Sequence, residues 1–469
     1  MNTAFLYVSI ADKIRQLIDS QVIRVGDKLP SVRRLSEEHG VSLTTAFQAY
    51  YHLEAQGRIE ARPKSGYYVR NNPAKSYALP SVSQPDATVQ TLSNDELLSR
   101  LYNQPDGPLR FAAAVPAPDL LPVAKLQKAM IHALRTAPAG GTTYEDGKGN
   151  AELRQQIARL AFGSGSVVSP DEVIITAGCM EAVVLCLQAV TRPGDTVAVE
   201  SPSYFAFFQA FEKMGLNVLE LPANPTTGVD LDALETALQA GVVQVCLLTP
   251  TFSNPLGSCL MNTDRQRLVQ MMARYQTPLI EDDVYGDLYF GKTRPRTCHS
   301  FDTEGWVMVC SSFSKSLAPG YRIGWVLPGR FGSAINRQKA VFSRTCPTLT
   351  QAALAHFLAH GRYDHHLRQL RQTFHLTSLR YQQAISAYFP EGTRFTNPEG
   401  GFVLWVELPD LIDTVQISQQ ALLEGISVTP GAVFTAQQLY QNCLRISFGQ
   451  PFSAAVEDGL KRLGKLARG

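Results

Sequence analysis

Between residues 173 and 327, short apolar runs recur at 173–176, 196–200, 244–249, 278–281, 307–310 and 323–327. Helical stretches at 181–190, 203–214 and 264–275 separate several of them. No other feature limits the fold as strongly. Runs this short and this apolar suit strands buried on both faces. Their alternation with helices calls for an α/β domain built on a largely parallel sheet, beginning near Asp106. A long helical region follows at about 335–380, and the runs 402–407, 426–429 and 444–448 then read as a smaller α+β part.

The first hundred residues are patterned differently. Val8, Ile10, Ala11, Ile14, Leu17 and Ile18 share one side of a helix over 7–18. Ser31 is placed to cap a short helix ending at His39-Gly40, and Ser42 to cap another that stops at Gly57. Two short strands, 58–62 and 67–70, flank the turn Pro63-Lys64-Ser65-Gly66. Helix, helix, turn, helix, hairpin is a winged helix-turn-helix. In such a module the helix opening at Ser42 enters the major groove by its N-terminal residues. Ser42, Thr44 and Thr45 then suit phosphate contacts, helped by the helix N-terminus. Arg33 and Arg34 lie on the preceding helix, and Lys64, Ser65 and Gly66 form a wing tip. The competing reading is a small helical cap with solvated charges. Residues 1–75 hold 11 Lys and Arg against 7 Asp and Glu, whereas the rest of the chain holds 32 against 34. A basic module on a slightly acidic body agrees with DNA binding at one end. Residues 71–105, with Pro73, Pro80, Pro85 and several serines, read as a linker that closes on a short helix at 94–102.

The chemistry is concentrated in Ser311-Ser312-Phe313-Ser314-Lys315-Ser316-Leu317-Ala318-Pro319-Gly320-Tyr321-Arg322-Ile323-Gly324-Trp325. A lysine among serines, with an arginine seven positions on, suits an amine that forms a Schiff base beside a dianionic phosphate. Pyridoxal phosphate makes that demand and others: a carboxylate for its ring nitrogen, donors for its phenolic oxygen, and hydroxyls, N–H groups and a cation for its phosphate. The α-carboxylate of an amino acid further calls for an arginine fork. Each role has a candidate. Lys315 is the amine, and Asp282 in Glu281-Asp282-Asp283-Val284-Tyr285 faces the ring nitrogen. Tyr285 and Asn254 serve the phenolic oxygen. Ser312, Ser314 and Arg322 serve the phosphate. Gly178-Cys179-Met180 opens a helix after a strand and offers N–H groups to the same anion. Tyr204 stacks on the ring, and Arg445 in Cys443-Leu444-Arg445-Ile446-Ser447 is the fork. Each alone has a plain structural reading, a surface lysine or a strand-end cap; their conjunction rejects it.

Residues 7–69 resemble a GntR-type winged helix through Leu29-Pro30-Ser31-x-Arg33-x-Leu35, Gly40-Val41-Ser42, Ala49-Tyr50-x-x-Leu53-Glu54-x-x-Gly57 and Ser65-Gly66-Tyr67-Tyr68-Val69. The resemblance implies that Arg33, Ser42, Thr44, Thr45, Ser65 and Gly66 approach DNA. Leu43 departs from it, standing where that family usually has an arginine. From about 106 to 469 the chain resembles fold-type I, pyridoxal phosphate-dependent aminotransferases: a large α/β domain with a small α+β domain. That implies the roles named above, and that Tyr144 in Thr143-Tyr144-Glu145-Asp146-Gly147 reaches the cofactor phosphate of a neighbouring subunit in a homodimer. Cys179 and Leu256 stand where the family often has Ser or Thr, and Thr. The whole resembles the MocR-type regulators, with a DNA-binding domain at 1–72, a linker at 73–105 and a cofactor-binding body at 106–469, its small part from about 335. The implied function is a transcriptional regulator that senses an amino acid or amine. The alternatives are an active aminotransferase with a DNA-binding appendage, its residue set being intact, and a sensor of pyridoxal phosphate itself.

Eight scattered cysteines with no C-x-x-C pair indicate neither a disulfide framework nor a metal site. The N-terminus has no leader pattern, and the apolar segment near 183–190 is interrupted by Gln188, so no membrane span is expected and the cytoplasm is the expected location.

Overall fold

The computed structural model describes residues 3–19, 22–62, 65–70, 77–92, 109–409 and 412–468. Lys64 and the segment 94–102 therefore lie outside the described residues. Two compact units form: Met1–Ala78 with His375–Arg380, and Leu79–Phe374 with Tyr381–Gly469.

In the first unit helices Thr3–Asp19, Val32–Glu38 and Leu43–Ala55 precede the antiparallel strands Ile59–Arg62 and Gly66–Val69. Local chemistry sets the helix starts. Ser31 Oγ accepts from Arg34 N at 3.2 Å, and Ser42 Oγ from Thr45 N at 3.1 Å. Such caps contribute about 1 kcal/mol each. Ile10, Ile14, Leu35, Ala46, Ala49, Tyr50, Leu53, Ile59 and Val69 form one core. The Tyr50 hydroxyl, buried among them, donates to Pro30 O at 2.7 Å. Gly66, at φ 109°, opens the second strand in a conformation that disfavours a side chain. This is the expected winged helix-turn-helix.

The second unit is built on an eight-stranded sheet ordered Gln90–Thr91, Asn217–Leu221, Thr196–Glu200, Val245–Leu248, Leu279–Asp282, Val307–Ser312, Gly324–Leu327, Ile174–Thr176. From Asn217–Leu221 to Val307–Ser312 the strands run parallel. Gly324–Leu327 is antiparallel to both of its neighbours, and Gln90–Thr91 antiparallel to Asn217–Leu221. Helices cover the sheet, so its central strands are buried and mostly apolar. Val183, Val197, Val199, Phe207, Phe211, Val245, Ile280 and Val326 belong to one of its cores. A smaller antiparallel sheet, Arg394–Phe395, Val403–Glu407, Cys443–Ser447, Thr429–Pro430, follows the helices Gly332–Phe342, Thr348–His360 and Tyr363–Tyr388.

Three features go beyond the sequence reading. Asn217–Leu221 is a strand of the large sheet, although buried Glu220 interrupts its apolar pattern. The run at 426–429 divides: Ile426–Ser427 pairs with Leu109–Arg110, and Thr429–Pro430 with the Cys443–Ser447 strand. Within the segment read as a linker, residues 81–91 are bound to the body. Ser81 N donates to Glu407 Oε2 at 2.6 Å, Ala223 N donates to Ser83 Oγ at 2.6 Å, and Asp86 N donates to Gln437 Oε1 at 2.9 Å. Among the described residues no helix is long and apolar enough to cross a membrane, and no His, Cys, Asp and Glu cluster has metal-holding geometry. All eight cysteines are free.

Candidate functional site

The parallel strands deliver their C-terminal ends to one place, where open α/β sheets bind ligands. Asp282 ends the strand Leu279–Asp282 and Ser312 ends its neighbour Val307–Ser312. Asp282 Oδ1 accepts from Val284 N at 3.1 Å and from the Cys179 thiol at 3.4 Å. Burial raises this carboxyl to about 6. Lys315 follows Ser312 in the adjoining loop, and its Nζ donates to Ala114 O at 2.6 Å. Burial, then the Arg445 charge, lowers the amine to about 8, while Asp282 opposes the shift. An amine so held is a base near neutral pH. Lys315 Nζ stands 6.0 Å from the centroid of the Tyr285 ring, which packs edge-on against Phe402.

A second group of polar residues is assembled from three segments. Gly178, at φ 92°, is the N-cap of helix Cys179–Val190, and no side chain caps that end. Arg322 donates from Nη1 to Ser314 Oγ at 3.3 Å and from Nη2 to Ala177 O at 3.2 Å. Ser314 N in turn donates to Ser312 Oγ at 3.4 Å. The structure thus brings together Gly178, Ser312, Ser314 and Arg322, with Cys179 and Met180 in the first helical turn. Tyr204 is the N-cap residue of helix Phe205–Met214 and packs edge-on against Phe207.

Arg445 lies on the inner strand of the small sheet and is 2 % exposed. It donates from Nη1 to Asn254 Oδ1 at 3.3 Å, and from Nη2 to Thr429 Oγ1 at 2.9 Å and to Ala112 O. Sequence reasoning missed Thr429 and the carbonyls of Ala112 and Ala114. No local signal marks them, since each meets its partner across a long chain separation. It missed Ser316 too, whose hydroxyl contacts the Tyr363 hydroxyl and whose carbonyl contacts His366 Nε2, both at 2.8 Å, steadying the lysine loop. Tyr144 lies apart from this group, 81 % exposed, with the Arg344 guanidinium 5.0 Å from its ring centroid.

These residues fit pyridoxal phosphate. The Tyr285 hydroxyl is buried with no hydrogen-bond partner among the described residues, as a donor awaiting a phenolic oxygen would be. A Cβ on Gly178 would fall 2.5 Å from Arg322 Nη2, so only glycine leaves the cradle open there.

On the first unit Arg33, Ser42 and Thr44 are exposed, and Leu43 is 53 % exposed beside them. Thr45 and Ser42 join hydroxyls at 2.9 Å, closing the helix start. At the wing, Ser65 Oγ meets the Tyr68 hydroxyl at 2.7 Å, and Gly66 is exposed.

The chain matches the description "Aminotransferase class I and II" over residues 114–463 and "Bacterial regulatory proteins, gntR family" over residues 6–69. It is 39 % identical over 464 residues to the uncharacterized HTH-type transcriptional regulator YjiR of Escherichia coli, covering 98 % of each chain. It is 31 % identical to the 2-aminoadipate transaminase of Thermus thermophilus, covering 81 % of this chain and 95 % of that one. The crystal structure of LysN, the α-aminoadipate aminotransferase of the same organism, complexed with N-(5'-phosphopyridoxyl)-L-leucine, superposes with a TM-score of 0.74 at 30 % identity, over 81 % of this chain and 95 % of that one.

Proposed function

This chain belongs to the aminotransferase class I and II family and carries a gntR-family domain in the MocR-type architecture of a transcriptional regulator, and we propose that it regulates transcription in response to an amino acid or amine received at Lys315. Its cofactor is pyridoxal phosphate. The observation that carries the reading is the meeting of Lys315, Asp282 and Tyr285 in one buried cluster of a chain that also has a DNA-binding domain. We read 1–72 as that domain, 73–105 as the linker and 106–469 as the receptor.

Bound pyridoxal phosphate supplies an aldehyde that takes an amine and a ring that draws electrons from the carbon bearing it. Lys315 would hold the aldehyde end, and its Nζ, poised at about 8, takes up and returns a proton near neutral pH. Asp282 would keep the ring nitrogen protonated. Tyr285 and Asn254 would donate to the phenolic oxygen, and Tyr204 would cover the ring. Ser312, Ser314, Arg322 and the N–H groups after Gly178 would hold the phosphate. Arg445, with Asn254, would receive the ligand's carboxylate. Arg33, Ser42, Thr44, Thr45, Ser65 and Gly66 would face DNA, and the protein would act in the cytoplasm, where DNA is reached.

A homodimer completes the site. Tyr144 is 81 % exposed, and Val341 at 78 % and Phe342 at 65 % are exposed as well, aromatic and apolar side chains suited to a second copy. Tyr144 would then donate to the partner's cofactor phosphate.

A second reading, an aminotransferase with a DNA-binding appendage, is favoured by the buried Arg445 fork, which a sensor of the cofactor alone does not need. The test is twofold. Borohydride reduction and peptide mapping should find the cofactor mass on the Lys315 peptide; finding it on another lysine refutes the assignment. Sustained turnover of an amino acid with an oxo-acid acceptor promotes the enzyme reading, and its absence leaves the receptor.

A further inference from the structure

A buried amine lies directly behind the segment that carries Tyr144. Lys339, on helix Gly332–Phe342, is 1 % exposed. Its Nζ donates to Gly147 O at 2.6 Å and to Arg344 O at 3.1 Å. One carbonyl belongs to the segment 143–149, the other to 343–346. Gln351, itself fully buried, repeats the arrangement from the next helix: Oε1 accepts from Asn150 N at 2.8 Å while Nε2 donates to Cys346 O at 2.9 Å. At the rim, the Thr345 and Thr348 hydroxyls donate to Asp146 O and Thr143 O at 3.3 and 3.4 Å. The two segments are thus pinned to each other on their inner side. Their outer side presents Tyr144, with Arg344 over its ring.

A buried ammonium is unfavourable unless its donors are used, and an apolar residue would fill the same helix position with less loss. Among the described residues Lys339 forms no ion pair; the Asp146 and Glu181 carboxylates and the Cys346 thiol act on it only through space. Its hydrogen bonds go to backbone carbonyls of two loops, and neither loop has regular structure of its own there. The amine therefore serves to set the loops rather than to neutralise a carboxylate.

We infer that Lys339 is a positioning residue that fixes the segment 143–149 against 343–346, so that Tyr144 is presented in one geometry to the cofactor phosphate of a second copy of this chain. This rests on the homodimer reading given above. It extends that reading by naming the side chain through which the donated tyrosine is held.

The test is a double-mutant cycle on the full-length protein, read as the dissociation constant of pyridoxal phosphate from an absorbance titration. Tyr144→Phe should weaken binding about tenfold, the worth of one charge-assisted hydrogen bond. Lys339→Met should weaken it by a similar factor, and the double variant should be no weaker than the weaker single one, because both act through the same hydroxyl. Lys339→Arg, which keeps a buried cation with several donors, should recover most of the affinity. A merely structural lysine would lower thermal stability without this non-additivity. Wild-type affinity in Lys339→Met, with Tyr144→Phe weakened, overturns the inference alone, as do losses that multiply. Wild-type affinity in Tyr144→Phe overturns the homodimer reading and the inference with it. If Lys339→Met does not fold, the same cycle with Lys339→Gln is judged by the same two outcomes.

Discussion

Replacing Arg445 with alanine separates a carboxylate fork from a structural arginine. In the structure its guanidinium holds Asn254 Oδ1, Thr429 Oγ1 and Ala112 O. An amino acid carboxylate would gain two charge-assisted hydrogen bonds there, each roughly 1.5–3 kcal/mol, but the arginine would give up its bond to Ala112 O in exchange. The net is nearer one such bond than two. That predicts a loss of roughly tenfold to hundredfold in amino acid affinity for Arg445→Ala. An amine of the same side chain without the carboxylate uses none of these bonds and should bind as before. Folding should survive. Unpaired Asn254 and Ala112 groups cost roughly 1–3 kcal/mol against a total stability of about 5–15 kcal/mol. The assay is a spectral titration of cofactor-loaded protein with an amino acid and with its decarboxylated amine. Equal losses for both ligands would refute a carboxylate fork and leave Arg445 as a structural tie between Asn254 and the small sheet.

Lys315→Met in cofactor-free protein tests the buried amine. The folded-state value of about 8 lies below the ordinary lysine value of 10.5, so folding expels a proton at intermediate pH. The penalty is full below about 8 and is relieved as pH rises from 8 to 10.5. The variant should therefore be more stable by up to about 3 kcal/mol at pH 7, with the gain gone near pH 10.5, by urea unfolding; a gain independent of pH contradicts this. Gly178→Ala places a Cβ 2.5 Å from Arg322 Nη2 on a backbone at φ 92°. It should lose about 1–3 kcal/mol of stability and most of its cofactor affinity, and a variant with normal affinity would remove Gly178 from the phosphate cradle. Arg33→Ala should weaken DNA binding and reduce the slope of log K against log salt by about 0.9, the share of one phosphate contact; an unchanged slope takes Arg33 off the DNA.

Much of the fold was legible because its determinants are local. Ser31 and Ser42 cap helices through bonds three residues away, and the doubly buried strands declare themselves by unbroken apolar runs. The strand Asn217–Leu221 was not legible, because the partners of Glu220 within it, the Ser201 and Thr435 hydroxyls and Ala436 N, come from distant segments. Gln90–Thr91 is a strand through backbone pairing and the Thr91 hydroxyl's bond to Asn217 Oδ1, with no apolar side chain to announce it. At the candidate site the chemical types could be read from the chain, since an amine, a carboxylate and a guanidinium in those contexts suit few other tasks. Their neighbours could not. Arg445 meets Thr429 and Ala112, and Lys315 meets Ala114, only because the small sheet folds back on the segment after Leu109–Arg110. The Lys339 clamp was invisible for the same reason: an ordinary helical lysine in sequence becomes buried when two loops close over it.

The proposed coupling joins an amine at Lys315 to the DNA-binding domain of the same chain. The most direct measurement is the affinity of the cofactor-loaded protein for a footprinted operator, with and without a panel of amino acids and amines, in the wild type and in Lys315→Ala. A coupling of about 1–3 kcal/mol predicts a shift of roughly 5- to 150-fold in the wild type for at least one amino compound, and none in Lys315→Ala. Operator affinity that ignores every amino compound, or that shifts equally in Lys315→Ala, would contradict it.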